Sequence, residues 1–80
     1  MSDLADLLGF LARAVVAEPD SVEVTELEED DGTVVLELTV ADEDYGKVIG
    51  RGGRTASALR TVVKAAAARA DQHVLVDIVD

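Results

Sequence analysis

Tyr45-Gly46-Lys47-Val48-Ile49-Gly50-Arg51-Gly52-Gly53-Arg54-Thr55-Ala56 places three glycines within four positions, between two segments whose composition favours helix. Asp42 is a plausible N-cap for a short helix reaching about Ile49, although Gly46 weakens that helix by roughly 1 kcal/mol relative to alanine. The glycines stop it. A second helix is expected from near Arg54 to about Ala70, with Ala56, Leu59, Val63, Ala66 and Ala70 on one face and Ser57, Arg60 and Lys64 turned elsewhere. Helix, glycine turn and helix thus follow without a strand between them.

Upstream, Val34, Leu36, Leu38 and Val40 alternate with Val35, Glu37 and Thr39, the clearest period-two pattern in the chain and the mark of a half-buried strand. Asp31-Gly32 is a hairpin signal before it, and Val22, Val24 and Leu27 read as an acidic, irregular partner strand beginning near Ser21. Before Pro19, a first helix is capped by Ser2, carries Asp3 and Asp6 in its first turn, and shows Leu4, Leu7, Leu8, Leu11 and Val15 at helical spacing. The sheet is expected to cover most of that stripe, together with Phe10. Val74 to Val79 supply a last strand. The order is α-β-β-α-α-β. Because each amphipathic helix needs a sheet face to bury its stripe, the expected architecture is one α+β domain over residues 1–80, a three-stranded mixed sheet with three helices on one face.

The 80 residues carry a net charge of −10, which argues at first sight against a nucleic-acid partner. The distribution reverses that reading. Residues 1 to 46 hold 14 acids and one base, whereas residues 47 to 70 hold six bases, Lys47, Arg51, Arg54, Arg60, Lys64 and Arg69, and no acid. Local field matters more than net charge for binding an anion. A loop without side chains lets another backbone approach closely, and the N-terminus of the following helix offers unpaired N–H groups to a phosphate. Bases could then rest on neighbouring apolar residues, with Val48 and Ile49 dividing their work between core and groove.

Other chemistries fit less well. Gly50-x-Gly52 follows a helix and lacks the third glycine of a dinucleotide fingerprint, and no Gly-Lys-Ser/Thr is present for a Walker loop. The chain has no cysteine, which removes disulfides and thiolate metal sites, and its single histidine, His73, has no nucleophile or carboxylate at triad spacing. The run Glu28 to Asp31 lacks the calcium-loop pattern and reads as a solvated turn. Tyr45 is expected to pack against the following helix, with base stacking as the alternative. Ala65 to Ala68 favour helix, with close packing across a subunit interface as the alternative. No apolar run approaches the roughly 20 residues of a membrane span and Met1-Ser2-Asp3 shows no basic leader, so a cytoplasmic chain without membrane contact is expected.

The run from Asp44 to Ala56, followed by Leu59-Arg60-Thr61-Val62-Val63-Lys64-Ala65-Ala66, resembles the bacterial KhpA family of small KH proteins over essentially the whole chain. The resemblance implies the type II KH fold, in which a helix and a strand precede the core. It implies RNA binding through a GxxG loop on Gly50, Arg51, Gly52 and Gly53, with Val48 and Ile49 before it and Lys47, Arg54 and Arg60 as basic positions around it. Together with Ser57 on the following helix these form the candidate RNA-binding set, with no catalytic residue, metal or cofactor. The resemblance further implies an RNA chaperone of the cytoplasm that pairs with a second KH protein, KhpB, and influences cell shape and envelope growth. The departure from the family is the acidity of the first 46 residues. Useful affinity is accordingly expected from a homodimer or a KhpB-like heterodimer, and the rival reading is a protein-interaction module that has lost most RNA affinity.

Overall fold

The computed structural model describes residues 2–79. Its centre is the alternating strand: in β2 (Val34–Thr39), Val34, Leu36 and Leu38 are buried while Val35, Glu37 and Thr39 point the other way. Strand β1 (Glu23–Glu28) pairs antiparallel to β2 with Val24 opposite Leu38, and β3 (Val74–Ile78) pairs parallel to it with Val76 opposite Leu36. A parallel pair requires a crossover, and here it is the two-helix segment α2 (Tyr45–Ile49) and α3 (Arg54–Arg69). With α1 (Asp3–Val15), the helices cover one face of a sheet ordered β1-β2-β3, the α+β architecture expected from the sequence. Leu8, Leu36, Leu38, Val48 and Val63 are fully buried, each contributing on the order of 2 kcal/mol in transfer from water.

Ser2 caps α1 as expected, its Oγ accepting the Ala5 N–H at 3.1 Å. The buried stripe is rotated from the leucine stripe: Leu4, Ala5, Leu8, Gly9 and Ala12 face the core, Leu7 and Leu11 are half-buried, and Val15 is exposed. Small side chains at 5, 9 and 12 let the helix lie close to its neighbours, so the contact centres on them. Phe10, on the opposite side, is 70% exposed and is not covered by the sheet.

Three further boundaries differ from expectation. Pro19–Ser21 forms a 3-10 turn, so β1 starts at Glu23, and period two then puts Leu27 on the face opposite Val24, where it is exposed. Asp42 does not cap a helix by its side chain; it opens a 3-10 turn, Asp42–Asp44, that runs into α2. In α3 the buried face is Ala56, Leu59, Val63 and Ala67, while Ala66 is half-buried and Ala70 lies past the helix end. There Asp71 adopts φ 58°, and the Gln72 N–H donates to the Ala67 carbonyl at 2.8 Å, a Schellman-type closure. The β1–β2 turn closes on itself, with Asp31 Oδ1 accepting the Thr33 N–H at 2.9 Å and Gly32 at φ 89°.

Candidate nucleic-acid interface

Because β2 and β3 are parallel and α3 runs back between them, the Gly50–Gly53 loop lies at the end of the sheet where β2 finishes. The acidic turn lies at the other end, where the Val34 N–H donates to the His73 carbonyl just before β3. A six-residue strand is about 20 Å long, so the two are separated by more than two Debye lengths at physiological ionic strength, taken as about 8 Å each.

The loop closes with little help from side chains. The Gly50 N–H donates to the Gly46 carbonyl at 2.8 Å, ending α2, and the Gly53 N–H donates to the Gly50 carbonyl at 3.1 Å. Gly50, at φ 77° and ψ 172°, lies where only glycine is comfortable, and a Cβ there would fall 2.7 Å from Thr55 Cβ and 2.9 Å from Thr55 N. By contrast, nothing lies within 4 Å of a Cβ built at Gly52 or Gly53. The outer side of the loop is therefore open to another chain. Gly53 precedes α3 without a side-chain cap, so the first N–H groups of that helix lack the kind of partner Ser2 gives α1.

The candidate residues separate into distinct roles. Arg51 and Arg54 are exposed beside the loop, and Ser57 is exposed on α3. Arg60 is half-buried and its Nε donates to the Val76 carbonyl at 3.2 Å, which fixes a guanidinium on the outer edge of β3. Ser57, Arg60 and Lys64 share one flank of α3, where Lys64 borders a cleft of about 440 Å³ that also takes in Ala68, His73 and Leu75. Lys64, one of the six bases of residues 47–70, stands outside the candidate set named from the sequence, and Asp71 lines the same cleft. Lys47 is exposed, but its Nζ is 3.6 Å from Asp44 Oδ1, so its charge is partly compensated. Val48 is wholly within the core and has no surface for a base; of the pair, Ile49, half-buried, is the one left at the groove. Tyr45 is half-buried and packs against the core cluster.

Asp44 is the residue that sequence reasoning missed. Its side chain is buried, and its two oxygens accept the Ala17 N–H at 3.0 Å and the Glu18 N–H at 2.9 Å, tying the start of α2 to the segment after α1. The Ala17 N–H, then the Glu18 N–H and Lys47, hold its carboxyl below the ordinary aspartate value against the opposing effect of burial. One sequence signal existed: Asp44 stands four residues before Val48 and so on the same, inward face.

A three-stranded mixed sheet with helices on one face, crossed by two helices that meet at an open glycine loop, defines a KH domain of type II. The chain belongs to the KhpA/KhpB KH-domain family, whose sequence model matches residues 5–78. It is 46% identical over 76 residues to the RNA-binding protein KhpA of Caldanaerobacter subterraneus, covering 95% of this chain and all of that one. Identity is 49% to KhpA of Halalkalibacterium halodurans, over 92% of this chain and 96% of the other, and 41% to KhpA of Aquifex aeolicus over the full length of both. Among solved structures, Era in complex with MgGDPNP and a segment of 16S ribosomal RNA superimposes with a TM-score of 0.67 at 15% identity. The match covers 94% of this chain and 28% of Era, a likeness of fold.

Proposed function

We propose that this chain binds single-stranded RNA without catalysing a reaction, holding the sugar–phosphate backbone with Gly50, Arg51, Gly52, Gly53 and the N-terminus of α3. The observation that carries the reading is the uncapped start of α3 behind an open glycine turn, flanked by exposed Arg51 and Arg54 in the acid-free part of the chain. Backbone N–H groups and guanidinium groups there suit phosphate. Ile49 and the edge of β3, with Ser57 and Arg60 beside it, are the surfaces on which splayed bases would rest, and this favours a single strand over a duplex. The names of the KhpA relatives point the same way.

The proposal extends to assembly and setting. A single short groove gains affinity when a second is linked to it, so we place the chain in a homodimer or a heterodimer with a KhpB-like protein. Sedimentation of the chain alone and mixed with such a partner distinguishes the two. A cytoplasmic RNA-chaperone role bearing on cell shape and envelope growth is the setting we attach to it on the strength of family membership. The second reading, a protein-interaction module with little RNA affinity, is favoured by the net charge of −10.

Salt titration of a labelled short RNA separates the readings. About three phosphate contacts give a slope of log affinity against log salt of roughly −2 on a single strand. Neutralising the distant turn, by Glu29→Gln with Asp30→Asn and Asp31→Asn, is expected to tighten binding at low salt and to change it less than about twofold at physiological ionic strength. A flat salt response, or weaker binding by the neutralised variant, would contradict the assignment.

A further inference from the structure

The helices cover only one face of the sheet, and the side chains of the other face form two ordered rows. Leu27, Val35 and Leu75 stand side by side across all three strands, with Leu27 48% and Leu75 50% exposed. Two residues further along, Glu37 stands between Thr25 and Asp77, and beyond them Glu23 stands opposite Thr39. The strands themselves contain no Lys or Arg, and Arg60, whose guanidinium is braced on the Val76 carbonyl at the β3 edge, comes from α3 on the other side of the sheet. A sheet with one wet face ordinarily turns polar side chains outward, and like charges paired directly across strands are unfavourable. An outward aliphatic row beside an uncompensated acidic row departs from both habits.

The geometry points to a docking surface for a cationic, amphipathic polypeptide segment of another protein. Such a segment would lay apolar side chains along Leu27, Val35 and Leu75 and set Lys or Arg against Glu37 and Asp77. The rows are about 7 Å apart, the span of two residues in a strand and close to one turn of a helix, so a single amphipathic element can meet both. Charge selects this occupant. A second copy docking by the same face would set carboxylates against carboxylates, and a nucleic acid would meet them with phosphates. The surface lies on the side of the sheet away from the helices that carry the glycine loop; only Leu75, at the β3 edge, also borders the Lys64 cleft, and the Gly50 to Arg54 signals distinguish the two uses.

The test uses the whole chain, isotope-labelled, titrated with a synthetic peptide of alternating leucine and lysine and with an oligolysine of equal charge. The leucine-lysine peptide is expected to bind about tenfold more tightly and to shift the amide signals of Leu27, Val35, Glu37, Leu75 and Asp77, leaving Gly50 to Arg54 unmoved. Glu37→Gln with Asp77→Asn should weaken it about tenfold, as should the exposed and strand-compatible Leu75→Thr, whereas neutralising two exposed acids of α1 on the other side of the sheet, Asp3→Asn with Asp6→Asn, should change it less than about twofold. Equal affinity for both peptides, or equal loss on neutralising Asp3 and Asp6 across the sheet, would reduce the effect to general attraction by an acidic protein and overturn the inference. Shifts on this face caused by self-association or by RNA would overturn it equally.

Discussion

Arg51→Asp combined with Gly52→Asp is expected to weaken RNA binding at least about 100-fold while leaving the domain folded. The pair replaces one positive charge by two negative ones at the point proposed to meet phosphate. Opposed unit charges 4 Å apart interact by about 4 kcal/mol at an effective dielectric of 20, and every 1.4 kcal/mol is about tenfold in affinity. A 100-fold loss is about 2.8 kcal/mol, roughly 70% of one such interaction, and two residues contribute to it. The fold should tolerate the change, since Arg51 is exposed and the space around Gly52 is open. Gly52 has φ 63° and ψ 20°, a left-handed conformation that aspartate adopts more readily than most residues, at a cost of about 1–2 kcal/mol. Fluorescence anisotropy with a short RNA measures the first effect and thermal unfolding the second. An affinity equal to the parent's, in a variant with a cooperative transition, would remove the loop from the site.

The largest effect on stability is expected from Asp44→Ala. The substitution removes both acceptors of the Ala17 and Glu18 N–H groups and leaves a cavity where the start of α2 is tied to the end of α1. Losing two hydrogen bonds to a carboxylate together with the packing of a buried side chain is costly, so the melting temperature should fall on the order of 10 °C. Asp44→Asn keeps one acceptor and should fall between the two. The same carboxylate gives a pH dependence. Its folded-state pKa lies below the unfolded value near 3.8, so its contribution is present above that value and is lost as pH falls toward the lower folded-state one. Acid unfolding of the parent should therefore steepen below about pH 4, and the alanine variant should lose that component. An alanine variant as stable as the parent at neutral pH would show that these bonds do not hold the junction.

Where the sequence was legible, one strong local rule acted without a competitor. The alternation of Val34 to Val40 fixed the central strand because only one phase buries the aliphatic side chains, and all four even-numbered members are in the core. The glycine turn was equally plain, since its backbone sits at positive φ at Gly50, Gly52 and Gly53. Legibility failed where tertiary packing chose between similar residues. Leucines at 4, 7, 8 and 11 and alanines at 5 and 12 both mark a possible face of α1, and close packing selected the face that includes the small ones. Three carboxylates in a row, Asp42, Glu43 and Asp44, are alike as composition, yet only Asp44 turns inward. The glycine loop and its cations were legible as composition, whereas what each side chain touches was not. Charge alone cannot tell that Lys47 has Asp44 for a neighbour, that Arg60 is braced on β3, or that Val48 belongs wholly to the core.

The central claim is that the open glycine turn and the start of α3 hold the backbone of a single strand. Amide shift mapping of the whole chain with a short single-stranded RNA tests it most directly. The account predicts the largest changes at Gly50, Arg51, Gly52, Gly53 and Arg54, with smaller ones at Ile49, Ser57, Arg60 and Lys64 along the flank toward β3. Changes centred on the open sheet face or the Glu28–Thr33 turn, with the Gly50–Arg54 signals unmoved at saturation, would contradict it.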